Sequence, residues 1–214
     1  MKEIRMTKKK FTEIIKYYFP KINHAIQKEF DIESKINIRI AQTIKEYEDI
    51  GAKIYGEKID PYFGAVSFGN SQENYIIFNI DALLKSRKYR EVTDMIRLIS
   101  HEIFHSIYWD LPLSKRTIIK EKGKIYNGYY KNWAYEYERK MGLLFNENEI
   151  NNLVMTYYLH VEEFLAYTFE AAIMNKIEKT GNISTIGKEN FKDIIDIEKL
   201  STQIYNIYVG GIAT

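Results

Sequence analysis

From Thr93 to Asp110 the chain reads TDMIRLISHEIFHSIYWD, a run with no Gly or Pro that carries Ile96, Ile99, Ile103 and Ile107 at spacings of three and four. That spacing lays one apolar stripe along an α-helix. Pro112 requires the helix to stop before it. A helix with so continuous a stripe must be covered along its length, so the remaining elements have to form a core around it.

The flanking segments supply candidates for that cover. Phe11, Ile14, Ile15, Tyr18, Phe19, Ile22 and Ile26 predict an amphipathic helix over 7–30, with Pro20 breaking or kinking it. Ile36, Ile38 and Ile40 alternate with Asn37 and Arg39, which predicts a half-buried strand over 36–41. Phe63–Phe68 and Asn74–Ile80, separated by GNSQE, predict an antiparallel hairpin. Asp81 is expected to cap a helix over Ala82–Lys88. Gly123, Gly128 and Gly142 punctuate helical pieces in 112–148, a stretch dense in tyrosines from Tyr126 to Tyr137 that suit packing or cleft lining. Glu149 to about Lys179 is helical in pattern, Gly181 breaks it, and 187–208 supplies one or two last helices. The expected class is α+β: a mostly helical single domain with a small, partly antiparallel sheet before the central helix. Its segments are an N-terminal helical part (1–35), sheet plus central helix (36–111), and a helical C-terminal part (112–214).

Composition limits the chemistry. Among 214 residues there is no cysteine, so disulfides, Cys-based zinc sites and thiol nucleophiles are excluded. The net charge of +2 with 28% charged residues is ordinary and gives no sign of nucleic-acid binding. Lys8, Lys9, Lys10 and Lys16 fit the solvated face of the first helix, with anionic lipid or nucleic acid as the lesser alternative. There is no apolar stretch long enough for a transmembrane helix. The basic start MKEIRMTKKK is followed by an apolar run that Glu13 and Lys16 interrupt, so no signal peptide is expected. That leaves a cytoplasmic protein, or the mature or excised part of an exported one.

Histidine is scarce, with four in the chain, and two of them form His101-Glu102-Ile103-Phe104-His105, an H-E-x-x-H pattern. Residues four apart on a helix differ by about 40° in rotation, so two imidazoles so placed reach one tetrahedral zinc while the Glu between them faces its open side. A catalytic zinc needs a third protein ligand. One class of zinc protease takes a His six residues after the second; here that position is Leu111, and Tyr108 stands where the class has Gly. The other class takes a Glu from a downstream helix. Glu163 suits this, with Ala166 on the same helix face to permit close approach. Glu162 points about 100° away and is the weaker candidate. His160 competes as a ligand and fits better as a supporting or substrate-facing group; His24 has no motif around it and reads as structural.

H-E-I-F-H followed by Glu162-Glu163-Phe164-Leu165-Ala166-Tyr167-Thr168-Phe169 resembles the catalytic domain of the anthrax lethal factor family and its relatives, the Pro-Pro endopeptidases. The matching core runs from His101 to about Met174. The resemblance implies a zincin-like metalloprotease domain in which His101, His105 and Glu163 bind Zn2+ and Glu102 is the general base. It also implies a catalytic Tyr seven residues before the ligand Glu. That position is Thr156 here, so the role passes to Tyr157 or Tyr158, with Tyr157 preferred. Glu163 follows His105 by 58 positions, a longer separation than in those relatives, which places 112–148 outside the resemblance. The ImmA/IrrE-type repressor-cleaving proteases of mobile elements are similar too, through Glu163, Ala166 and Phe169.

The expected activity is therefore zinc-dependent endopeptidase hydrolysis, as a toxin or effector domain or as a cytoplasmic regulatory protease. A non-catalytic zinc- or peptide-binding module is the rival. The expected partner is a peptide or protein substrate paired with the Phe63–Phe68 or Asn74–Ile80 strand, and the chain is expected to be monomeric.

Overall fold

Thr7 starts the first helix by accepting a hydrogen bond from the Lys10 amide, 3.2 Å away, and Asp31 ends it in the left-handed region at φ 55°. In this computed structural model, which describes residues 6–56, 59–69, 73–86, 88–123, 128 and 161–212, that helix, α1, spans Lys8–Phe30. Pro20 lies inside α1 and does not break it. Its exposed position leaves the apolar side untouched. An interior Pro costs about 3 kcal/mol, whereas each large apolar side chain fully buried returns about 1.5–3 kcal/mol. Phe11, Ile15, Ile22, Ile26 and Phe30 are all fully buried, so the burial outweighs the proline.

The strands are β1 (Ile36–Ala41), β2 (Ala65–Gly69) and β3 (Asn74–Asn79). They form one sheet in the order β1-β3-β2, with β1 parallel and β2 antiparallel to β3. The expected hairpin is present, with its first strand starting at Ala65. A helix that the sequence reading did not assign, α2 (Ile44–Tyr55), follows β1. Thr43 caps it through the Glu46 amide, and Gly56 closes it at φ 85°, where a side chain would be strained. Gly51 on α2 faces Ile59 so closely that a Cβ would lie 2.5 Å from its Cδ1. α2 covers one face of the sheet: Tyr47 packs with Ala41, Ile59 and Ile77, and Ile50, Ile54, Val66 and Phe68 adjoin them.

The next helix, α3, spans Ile80–Lys85, and here the expectation is corrected. Its cap is Asn79, whose Oδ1 accepts from the Ala82 amide and whose Nδ2 donates to Pro61 O. Asp81 sits within the first turn, where it pairs with Lys8 at 2.6 Å and accepts from the Ile44 amide. The central helix, α4 (Val92–Tyr108), begins where the Asp94 carboxylate accepts from the Arg90 and Glu91 amides, 2.8 and 2.9 Å away. All four isoleucines of its stripe are fully buried. α4 packs against α1, β2 and β3. Its far end is tied to the sheet by Asn74, whose Nδ2 donates to both Asp110 Oδ2 and Ser34 Oγ at 2.8 Å. Asp110 is thus a helix-end group, as read from the sequence.

The chain divides into two compact units, one of Met1–Leu111 with Thr202–Thr214 and one of Pro112–Ser201. In the second, α5 covers 113–123, α6 spans Val161–Met174 and α7 spans Asn182–Phe191. The α6–α7 contact is close because residue 187 is Gly: a Cβ there would come within 2.0 Å of Thr168 O. Phe169 and Phe191 meet edge to face with 5.3 Å between centroids, and Asn190 Nδ2 donates to Thr168 Oγ1. Gly181, at φ 63°, separates α6 from α7 as expected. The last helix, α8 (Ile197–Ile212), contains the boundary between Ser201 and Thr202. The architecture is α+β and mostly helical. No helix among the described residues is long and apolar enough to cross a membrane.

Candidate metal centre

His101, Glu102 and His105 lie in the second half of α4, whose isoleucine stripe anchors the helix in the core of the first unit. The geometry follows from helical pitch. Residues four apart stand about 6 Å apart along the axis and nearly above one another, so both imidazoles can turn toward the same point. They do so here: His105 Nε2 is 3.1 Å from His101 Nε2, and the rings meet at 70° with centroids 4.7 Å apart. Two nitrogens each about 2.0–2.1 Å from one tetrahedral zinc stand roughly 3.3–3.4 Å apart. The side chains are therefore arranged as a metal-ligand pair would be. His101 and Glu102 are each only 6% exposed, and His105 is half-buried. Two imidazoles held this close together on a core helix are ligand types that suit Zn2+.

Tyr47, on α2, had no place in the sequence reading of the site. It is fully buried, and its hydroxyl has no hydrogen-bond partner among the described residues. Burial pushes its phenol well above the ordinary range, and the carboxylates of Glu102 and then Asp60 push the same way, so Tyr47 stays protonated and neutral. The spacing of Ile44, Tyr47, Ile50 and Ile54 behind a capping Thr43 signals the helix that carries it, though not the fate of its hydroxyl.

In the second unit, Glu162 and Glu163 occupy the first turn of α6, where carboxylates are favoured by the helix dipole. Both are half-buried, while Phe164, Leu165, Ala166 and Phe169 are fully buried. His24, read from the sequence as structural, is exposed on α1. Thr156, Tyr157, Tyr158 and His160 lie outside the described residues, as does most of the tyrosine-dense stretch.

The sheet order corrects one expectation about substrate. β3 is central and paired on both sides, so Asn74–Asn79 offers no open edge; β2 remains as the edge strand of the hairpin. Comparison with family models, with curated proteins and with solved structures finds no match to this chain.

Proposed function

We propose that the chain is a zinc-dependent endopeptidase in which His101, His105 and Glu163 hold the metal and Glu102 is the general base. The observation that carries this reading is the 3.1 Å approach of the two Nε2 atoms on α4 with Glu102 between them in sequence. Glu163, the third ligand read from the sequence, stands in the first turn of α6.

Bound there, a zinc ion supplies Lewis acidity, polarising a carbonyl oxygen and lowering the pKa of a water to about 7. The remaining work falls to the chain. Glu102 accepts the proton of the attacking water at its carboxylate and delivers it to the departing amine nitrogen. Its near-complete burial limits competing water around the carboxylate. A hydroxyl from Tyr157 or Tyr158 is proposed to stabilise the developing oxyanion, a contribution of about 3–4 kcal/mol for donors of this kind. The outer edge of β2, unpaired among the described residues, would align the substrate backbone by strand addition.

Replacing Glu102 by Ala tests the reading. The expected result is a fall in turnover of about 10²–10⁴-fold on a peptide library, with one zinc per chain retained by metal analysis. An active Glu102→Ala protein would remove Glu102 from the mechanism, and a wild-type protein that binds no zinc would remove the metal.

A further inference from the structure

Six of the 23 residues of α1 are lysine and two are glutamate, while the whole chain has a net charge of +2. Positive charge is thus concentrated on one helix, and helical pitch decides where it points. At about 100° per residue, Lys9, Lys16, Lys21 and Lys28 fall within about 140° of arc, opposite the side that buries Ile15, Ile22 and Ile26. All four are exposed, and they run for about 28 Å along the axis. Carboxylates do little to cancel them. Lys16 and Lys28 have no ion pair among the described residues, and Lys9 meets Glu13 only at 3.9 Å, in an exposed pair of small effect. Lys21 Nζ rests 3.2 Å from the centroid of the Tyr17 ring, where an aromatic face steadies its charge without neutralising it.

The lysine row adjoins an uncharged, aromatic surface in the same compact unit. Gly211, near the end of α8, lies against α1: a Cβ there would stand 2.9 Å from Tyr17 Cε1 and run into the Tyr18 hydroxyl. From Thr202 to Ile212 α8 carries no charged residue. Tyr205 and Val209, one turn apart on that helix, are 41% and 44% exposed. Single exposed apolar residues are ordinary. A pair on one helix face, next to a line of ammonium groups, makes an amphipathic surface.

We infer that the lysine face of α1, with the adjoining end of α8, docks on an anionic lipid surface. The match is one of charge and of polarity. Headgroup phosphates and carboxylates pair with the ammonium row, and tyrosine settles at headgroup level, its ring toward the acyl chains and its hydroxyl toward water. Contact is peripheral, because the apolar side of α1 is buried in the core and cannot insert. Nucleic acid is the poorer partner: α1 has no arginine to grip phosphate with a two-pronged fork, and the row lies on the convex outside of one helix. No residue of the metal centre takes part, so this surface and the peptidase reading stand or fall separately.

Vesicle flotation of the whole chain in EDTA tests the surface. The probes are vesicles of phosphatidylcholine alone and with about one third phosphatidylserine, at about 0.1 M and about 0.5 M salt. The wild type is expected to bind the phosphatidylserine vesicles about tenfold more tightly at the lower salt and to lose most of that preference at the higher. Lys16→Gln/Lys28→Gln should weaken binding about twentyfold, at about fivefold for each lysine. Tyr205→Ser/Val209→Ser should weaken it about threefold or more at both salts. Lys45→Gln/Lys53→Gln, which removes two exposed lysines from α2, should leave it unchanged. All six positions are exposed, so thermal unfolding of the three variants should match the wild type. Equal binding to the two vesicles, equal loss in the α1 and α2 variants, or binding indifferent to Tyr205 and Val209 overturns the inference. Tighter binding of a duplex oligonucleotide, with the same loss in the α1 variant, assigns the face to nucleic acid and overturns it too.

Discussion

Tyr47 is fully buried and its hydroxyl has no hydrogen-bond partner among the described residues. A buried unsatisfied polar group costs about 1–3 kcal/mol, while the ring itself packs with Ala41, Ile59 and Ile77. Tyr47→Phe keeps the packing and removes the orphan. It should therefore raise stability by about 1 kcal/mol, seen as a higher urea midpoint at unchanged slope. A lower midpoint would mean that the hydroxyl has a partner that matters. Tyr47 also marks where sequence reading fell short at this scale. H-E-x-x-H is legible because both histidines and the Glu sit within five consecutive residues, whose geometry helical pitch alone determines. An orphaned hydroxyl on another element, with Glu102 and Asp60 bearing on it, is a product of tertiary packing that no local pattern encodes.

At the scale of elements, apolar period was a good guide and capping a poorer one. The stripes of α1 and α4 and the alternation of β1 were readable because burial of one face dictates the spacing. The start of α3 is two residues earlier than expected because Asn79 and Asp81 are both good capping types, and what separates them is tertiary: Lys8 and the Ile44 amide claim the Asp81 carboxylate. That claim has a pH signature. The hydrogen bond from Lys8 holds Asp81 below its ordinary carboxylate range. Its contribution is therefore present above the unfolded value, about 3.9, and is lost as pH falls through the folded value. Asp81→Asn should lower the urea midpoint at pH 7, and the difference from wild type should shrink at pH 3. In the second unit the α6–α7 crossing depends on Gly187. Ala at that position would meet backbone at Thr168 O and the side chain of Ala172, neither of which can swing away. Gly187→Ala should destabilise the pair by about 1–3 kcal/mol, read as faster amide exchange along α6 and α7.

For the whole molecule the decisive quantity is linkage between metal and stability. α4 holds the two imidazoles close together in a helix whose stripe is buried, so zinc should bind the folded chain and stabilise it by mass action. At a free zinc concentration one hundred times Kd the gain is about 2.7 kcal/mol. For a chain of this length each kcal/mol moves the melting point by roughly 2–4 °C, so a rise of about 5–10 °C is expected, reversed by EDTA. His105→Ala should abolish the rise, because a lone imidazole on α4 no longer chelates. Glu163→Ala should reduce it, and Glu162→Ala should leave it unchanged. Glu102→Ala should preserve the rise while turnover is lost, since a general base contributes to proton transfer and not to the metal's coordination. Calorimetry on these variants with and without zinc separates ligand from base without any knowledge of the substrate. A melting point indifferent to zinc in the wild-type protein would show that the 3.1 Å histidine pair is packing rather than a metal site.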